Sequence, residues 1–152
     1  MYHTSSDVCI GGVREMIVVP FENWHFDFIQ PEWPVYKDGI DFERQSVSFT
    51  LCEEGQFYAV FGAVPLWPGN YETFLFTDKK FTNRKLQCIK FIKRQEDFLV
   101  KTFSPRRVQT TVPTSNCIFQ RWLKFQGYVN EGVMRSFGPD GKDHFRYAKV
   151  YD

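Results

Sequence analysis

The chain has 152 residues, 43% of them hydrophobic and 24% charged, which excludes a disordered tail and allows one domain with a buried core. No run of about 18 apolar residues occurs, so no membrane-spanning helix is expected, and 18% aromatic content fits neither a coiled coil nor a low-complexity segment. The formal net charge of +1 hides a reversal: residues 1–78 hold 12 acidic and 3 basic side chains, residues 79–152 hold 6 acidic and 16 basic.

Residues 1–15 are small and polar around Gly11-Gly12 and are expected to form an extended or mobile arm. They lack the basic and apolar stretches of a secretory signal, so a non-secreted, reducing location is expected. A single domain is then expected over residues 16–152. Residues 16–21 form a short apolar run closed by Pro20, a predicted first strand. Residues 22–45 mix aromatics and acids with Pro31, Pro34 and Gly39, which predicts one or two short irregular helices. Residues 46–52 alternate with period two, Glu53-Glu54-Gly55 supplies a turn, and residues 56–66 return as the hairpin partner. Pro68-Gly69-Asn70 breaks the chain before a further strand over residues 71–76, which is dense in β-formers.

The period changes near Thr82. From residue 82 to 102, Leu86, Ile89, Ile92 and Leu99 recur at helical spacing with lysine and arginine between them, and no proline or glycine interrupts. A long helix capped by Thr82 is predicted there. Pro105 ends it, residues 107–112 read as a strand, and a shorter helix follows over residues 117–126, with Asn116 as its cap and Gly127 at its end. Residues 128–137 and 144–150 form two last strands around the Gly138-Pro139-Asp140-Gly141 turn. This order predicts a mixed α/β fold, a central, mostly antiparallel mixed sheet flanked by helices. Cys9, Cys52, Cys88 and Cys117 are scattered without a C-x-x-C or a nearby histidine pair, so free thiols and no metal site are expected.

The segment Asn116-Cys117-Ile118-Phe119-Gln120-Arg121-Trp122-Leu123-Lys124-Phe125-Gln126-Gly127-Tyr128 resembles the last helix of GCN5-related N-acetyltransferases. That helix often reads Asn, a small residue three on, Tyr seven on, then Gly-Phe. Asn116, Gly127 and Tyr128 fall at matching offsets, and Glu131-Gly132, the Gly138–Gly141 turn and residues 143–149 resemble the family's closing hairpin. The resemblance implies an acetyl-coenzyme A site in a V-shaped opening between residues 71–76 and 107–112. It also implies that the pyrophosphate lies on amides entering the long helix, because unpaired N–H groups at a helix start attract anions. Phe76, Thr77, Lys79, Lys80, Thr82, Asn83 and Asn116 are then the cofactor-binding candidates. Glu72 and Asn116 are the catalytic candidates, and Phe76–Thr77 would supply backbone donors to the reacting carbonyl.

The departures are specific. The family's glycine-rich phosphate turn is here Thr77-Asp78-Lys79-Lys80-Phe81-Thr82-Asn83-Arg84, with no glycine and with an acid beside the phosphate position. At the offset of the tyrosine that protonates the departing thiolate stands Leu123, which has no proton to give, and the small residue is replaced by Phe119. The stretch from Phe74 to Tyr147 also resembles short acetyltransferase-like proteins of T7-like tailed phages, including an internal virion component. The leading expectation is therefore a non-catalytic, acetyltransferase-like structural or interaction protein, located in a virion or host cytoplasm. An acetyl-coenzyme A-dependent N-acetyltransferase acting on an amine is the alternative, and a nucleic-acid-binding accessory protein the third reading.

The cations Lys79, Lys80, Arg84 and Lys85 serve either as an anion site or as a solvated face paired with the acidic first half. Charge asymmetry further suggests self-assembly or protein partners through opposite faces. His25 and His144 are general-base candidates by residue type alone, and Trp33-Pro34 and Leu66-Trp67-Pro68 are aromatic loops suited to contact a partner.

Overall fold

The computed structural model describes residues 16–31 and 41–152; the expected N-terminal arm and the Trp33-Pro34 loop lie outside the described residues. Seven strands form one sheet: β1 (Ile17–Pro20), β2 (Val47–Glu53), β3 (Gln56–Trp67), β4 (Asn70–Thr77), β5 (Arg107–Pro113), β6 (Val129–Met134) and β7 (His144–Val150), in the order β1-β2-β3-β4-β5-β7-β6. Every pairing is antiparallel except β4 with β5. The β2–β3 turn falls on Glu54 and Gly55, both at positive φ, which is why Gly follows Glu there. One extra β3 residue opposite the Leu51/Cys52 step forms a bulge, so Phe57 and Ala59 face opposite sides of the sheet.

Those two sides are covered by different segments. Leu51, Ala59, Phe61 and Ala63 meet Cys88, Phe91, Ile92 and Leu99 of α2 (Lys85–Phe103). On the opposite side, Cys52, Phe57 and Val60 meet Phe21, Ile29 and Phe42, which come from a 3₁₀ turn region around Asn23–Phe28 and the one-turn helix α1 (Phe42–Gln45). Beyond β4, Leu123 of α3 (Cys117–Phe125) packs with Val108, Val112, Tyr128 and Tyr147. Among the described residues, the cysteines Cys52, Cys88 and Cys117 form no disulfide.

Two boundaries differ from the sequence-based expectation. The long helix does not begin at Thr82; a 3₁₀ turn (Lys79–Arg84) precedes α2, and its cap is Asp78, whose carboxylate accepts from the Lys80 N–H at 2.8 Å. The tight i→i+3 bond from Phe81 N–H to the Asp78 carbonyl, 2.9 Å, sets the 3₁₀ pitch. This tighter start turns Leu86 outward, 72% exposed, and the buried stripe becomes Cys88, Phe91, Ile92, Glu96 and Leu99. β6 stops at Met134 and not at Phe137, because Ser136 takes a positive φ and gives its N–H to Asp143 at 2.8 Å. The other end signals behave as read: Asn116 caps α3, accepting from Phe119 N–H at 3.2 Å, and Gly127 leaves it at φ 91°.

Candidate functional site

β4 and β5 run parallel and stay in register only at Asn70↔Arg107, Tyr71↔Val108 and Glu72↔Gln109. Each strand is held on its outer side along its length, β4 by β3 as far as Thr77 and β5 by β7 as far as Pro113. The two outer ladders therefore diverge and carry the strands apart. Thr110 Oγ1 donates to the Thr73 carbonyl at 3.1 Å and closes the apex of the resulting V. Ile92, Phe119 and Trp122 enter the gap from α2 and α3 and line its floor beside Leu75.

The V opens onto a groove of about 530 Å³ between β4, the start of α2 and α3. Its walls are mostly apolar, from Leu75, Phe81, Ile89, Ile92, Phe119 and Trp122, with Thr77, Lys79, Thr82, Lys85 and Asn116 as the polar positions. Phe119 does not plug the groove; it stacks on Trp122 at 5.2 Å between centroids and 24° between planes, as part of the wall. The Trp122 Nε1–H is buried without an acceptor among the described residues. A donor so placed costs stability unless a ligand carbonyl or water meets it.

Of the sequence-derived candidates, the fold brings Thr77, Lys79, Thr82 and Asn116 together on this groove. Phe76 belongs to it only through its backbone, because strand alternation sends its ring to the opposite side against Phe26, Phe42 and Phe74. Lys80 also turns away, donating to Gln56 Oε1 at 2.8 Å and lying 3.8 Å from Asp78. Asn83 is exposed and is not part of the groove wall. Glu72 lies on the face opposite α2, where it accepts from Gln109 and Arg146, each at 3.3 Å. The same face carries Arg107, which makes a bidentate pair with Glu131 and holds that carboxyl below its usual range.

Three amides of the turn that leads into α2 are already bonded. Lys79 N–H donates to the Gln30 carbonyl at 3.0 Å, Lys80 N–H to the Asp78 carboxylate, and Phe81 N–H to the Asp78 carbonyl. The second Asp78 oxygen accepts from Gln30 N–H at 2.7 Å, and the residue is only 2% exposed. Asp78 thus faces inward and ties two distant segments together.

Leu123 is 2% exposed and belongs to the α3 core rather than the groove wall. Tyr128 lines the apex with Thr73 and Thr110; its phenol donates to the buried Glu96 carboxylate at 2.6 Å, and its pKa is raised by burial and by that negative charge. His25 is buried, and the Glu22 N–H pointing at its Nδ1 makes that nitrogen an acceptor, also shared with Thr50 Oγ1 at 2.7 Å. Burial lowers the pKa of His25 and of His144, and neither lines the groove. Among the described residues no group of three metal-ligating side chains occurs.

Sequence reasoning offered Lys85 as part of a possible anion site and gave the apolar wall of Leu75, Ile89, Ile92 and Trp122 no role in the site. Lys85 had a signal, its place in the cluster of cations; the apolar wall had none, because its residues read equally well as core.

No family model and no curated protein matches this chain. Solved structures do. Ard1 from Thermoplasma volcanium superposes with a TM-score of 0.76 at 14% identity, covering 90% of this chain and 98% of that one. An acetyltransferase of the GNAT family from Streptococcus pneumoniae gives 0.71 at 14% identity, covering 91% and 100%. The ribosomal-protein-S5-alanine acetyltransferase from Vibrio fischeri gives 0.61 at 14% identity over 72% of this chain, which spans only 63% of that longer protein. With a seven-stranded mixed sheet flanked by helices and parted between β4 and β5, this chain has the fold of the GCN5-related N-acetyltransferases.

Proposed function

We propose that the protein is an acetyl-coenzyme A-dependent N-acetyltransferase acting on an amine. The observation that carries this reading is the parallel β4–β5 pair that parts after Glu72–Gln109 and opens on an apolar groove with lysines at its mouth. A narrow apolar channel with a few polar groups suits a pantetheine arm. Leu75, Ile89, Ile92, Phe119 and Trp122 would enclose that arm, and the Trp122 indole N–H is a donor of the kind its amide carbonyls accept. β4 beyond Glu72 is outside the register with β5 while still paired with β3, so its β5-side edge leaves the ladder and borders the groove. When bound, acetyl-coenzyme A supplies the thioester acetyl group that an amine attacks.

The chain's own residues then divide the work by face. The α2–α3 side holds the cofactor. The opposite side presents Glu72 between Gln109 and Arg146, a fixed carboxylate beside the apex that can hold an incoming ammonium or take its proton. Structural likeness to acetyltransferases supports this catalytic reading better than the non-catalytic, virion-linked one, for which the fold supplies no argument. Calorimetry with acetyl-coenzyme A tests it. Micromolar binding is expected, and no heat at millimolar cofactor would overturn the assignment.

A further inference from the structure

On the face opposite α2, five side chains from four strands form one continuous polar chain beside the apex of the V. Arg107 gives Nη1 and Nη2 to the two oxygens of Glu131, and its Nε to Gln109 Oε1 at 2.9 Å. Gln109 passes on through Nε2 to Glu72 Oε2, and Arg146 Nη1 reaches Glu72 Oε1, each at 3.3 Å. Every nitrogen of the Arg107 guanidinium is therefore in use. Arg146 differs: its contact with Glu72 is long, and its Nε and Nη2 make no hydrogen bond among the described residues. The Arg146 side chain is 20% exposed and that of Glu72 31%, so a ligand can reach both heads. The register sets their order. Gln109 lies opposite Glu72 and Thr111 opposite Arg146, so Arg146 enters from two residues further along β5, on the side to which the V opens.

We infer that the acceptor is a free α-amino acid, its ammonium held by Glu72 and its carboxylate by the open edge of Arg146. The inference rests on the acetyltransferase reading of the V. A carboxylate in contact with a guanidinium is matched by a ligand whose own opposite charges are adjacent, and the zwitterion of an α-amino acid is such a ligand. The planar guanidinium fork fits a carboxylate and holds it by two parallel hydrogen bonds. A peptide N-terminus or a simple amine satisfies Glu72 alone and leaves the Arg146 donors, partly shielded from water, with nothing to meet. Gln109, fixed in turn by Arg107, keeps Glu72 in place while Arg146 turns from it to the ligand. In the transfer, Glu72 takes one ammonium proton, and the freed nitrogen lone pair attacks the thioester carbon. The C–N bond forms, the C–S bond breaks, and the thiolate leaves with the second nitrogen proton. An N-acetylamino acid and coenzyme A result, with one proton returned to solvent from Glu72.

The test measures acetyl transfer by the full chain, with acetyl-coenzyme A saturating, to each of the common L-amino acids and to the α-amide of each. The amide keeps the amine and the side chain and loses the carboxylate. At least one free amino acid is expected to exceed its amide roughly tenfold in kcat/KM, the worth of one charge-assisted contact. Arg146→Gln should raise KM for that amino acid about tenfold and change KM for its amide much less, and Arg146→Lys, which keeps the charge without the fork, should fall between. Calorimetry with coenzyme A present and the same amino acid or amide titrated in should give the same order without turnover. Equal use of acid and amide by the parent, or a preference for peptide N-termini, overturns the inference while the acetyltransferase reading stands. An equal loss on both acceptors in Arg146→Gln overturns it too, since Arg146 would then do no more than support Glu72. If the parent binds acetyl-coenzyme A but acetylates no free amino acid, the inference falls alone. If it binds no acetyl-coenzyme A, the proposed function falls with it.

Discussion

Asp78 shows how much one buried carboxylate decides here. Its two oxygens take the N–H groups of Lys80 and Gln30, residues on opposite sides of the β4 terminus, and its backbone N–H donates to the Tyr58 carbonyl at 2.9 Å. Asp78→Ala leaves two backbone donors without acceptors and should cost about 2–3 kcal/mol. Urea unfolding should show the midpoint falling with little change in slope, and an unmoved midpoint would refute the role. His25 makes the second prediction. Its folded pKa lies below the ordinary 6.5 because burial disfavours the cation. Below about pH 6.5 the unfolded chain binds a proton that the folded ring refuses, so stability should fall with acidification, by at most about 1.4 kcal/mol per pH unit for one proton. Urea midpoints at pH 7 and 5 measure this slope, and His25→Asn should flatten it, leaving the share from His144, whose pKa is lowered in the same direction.

Among the elements, β3 is the one with least freedom, since both its faces are covered and it pairs on both edges. Gly62 shows the limit: a Cβ there would lie 2.5 Å from Phe74 Cζ and 2.7 Å from Ser48 Cβ. Gly62→Ala should therefore destabilise by about 1–3 kcal/mol through overpacking. A thermal midpoint lowered by several degrees is the expected reading, and an unchanged midpoint would mean that Phe74 moves aside freely. The helical start after β4 is the other telling element. Its residues, Lys79 to Arg84, have ordinary helix formers among them, and local sequence favours a cap at Thr82 as much as at Asp78. The choice falls to Asp78 because Gln30, 48 residues earlier, docks against the same carboxylate. No pattern within the segment contains that partner.

For the whole molecule, the charge reversal between the halves is partly neutralised inside the fold. Glu53 pairs with Arg84, Glu72 with Arg146 and Asp78 with Lys80, each an acid of the first half with a base of the second. The basic excess that remains unpaired includes the two lysines at the groove mouth. A ligand that binds only the folded chain raises its stability by mass action, about 2.7 kcal/mol at a hundredfold excess over Kd. Acetyl-coenzyme A should accordingly raise the thermal midpoint in a concentration-dependent way, and pantetheine should do so more weakly. The sequence by itself determined the strands, the two main helices, the turn glycines and the Asn116 cap, because alternation, helical periodicity and capping act between near neighbours. Only the tertiary structure decided where β4 and β5 part, that Lys85 and not Lys80 faces the groove, that Leu123 is core, and that Asp78 closes the amides. Each of those depends on contacts between segments far apart in the chain, on ladders formed by other strands, or on which way a 3₁₀ turn rotates the residues that follow it.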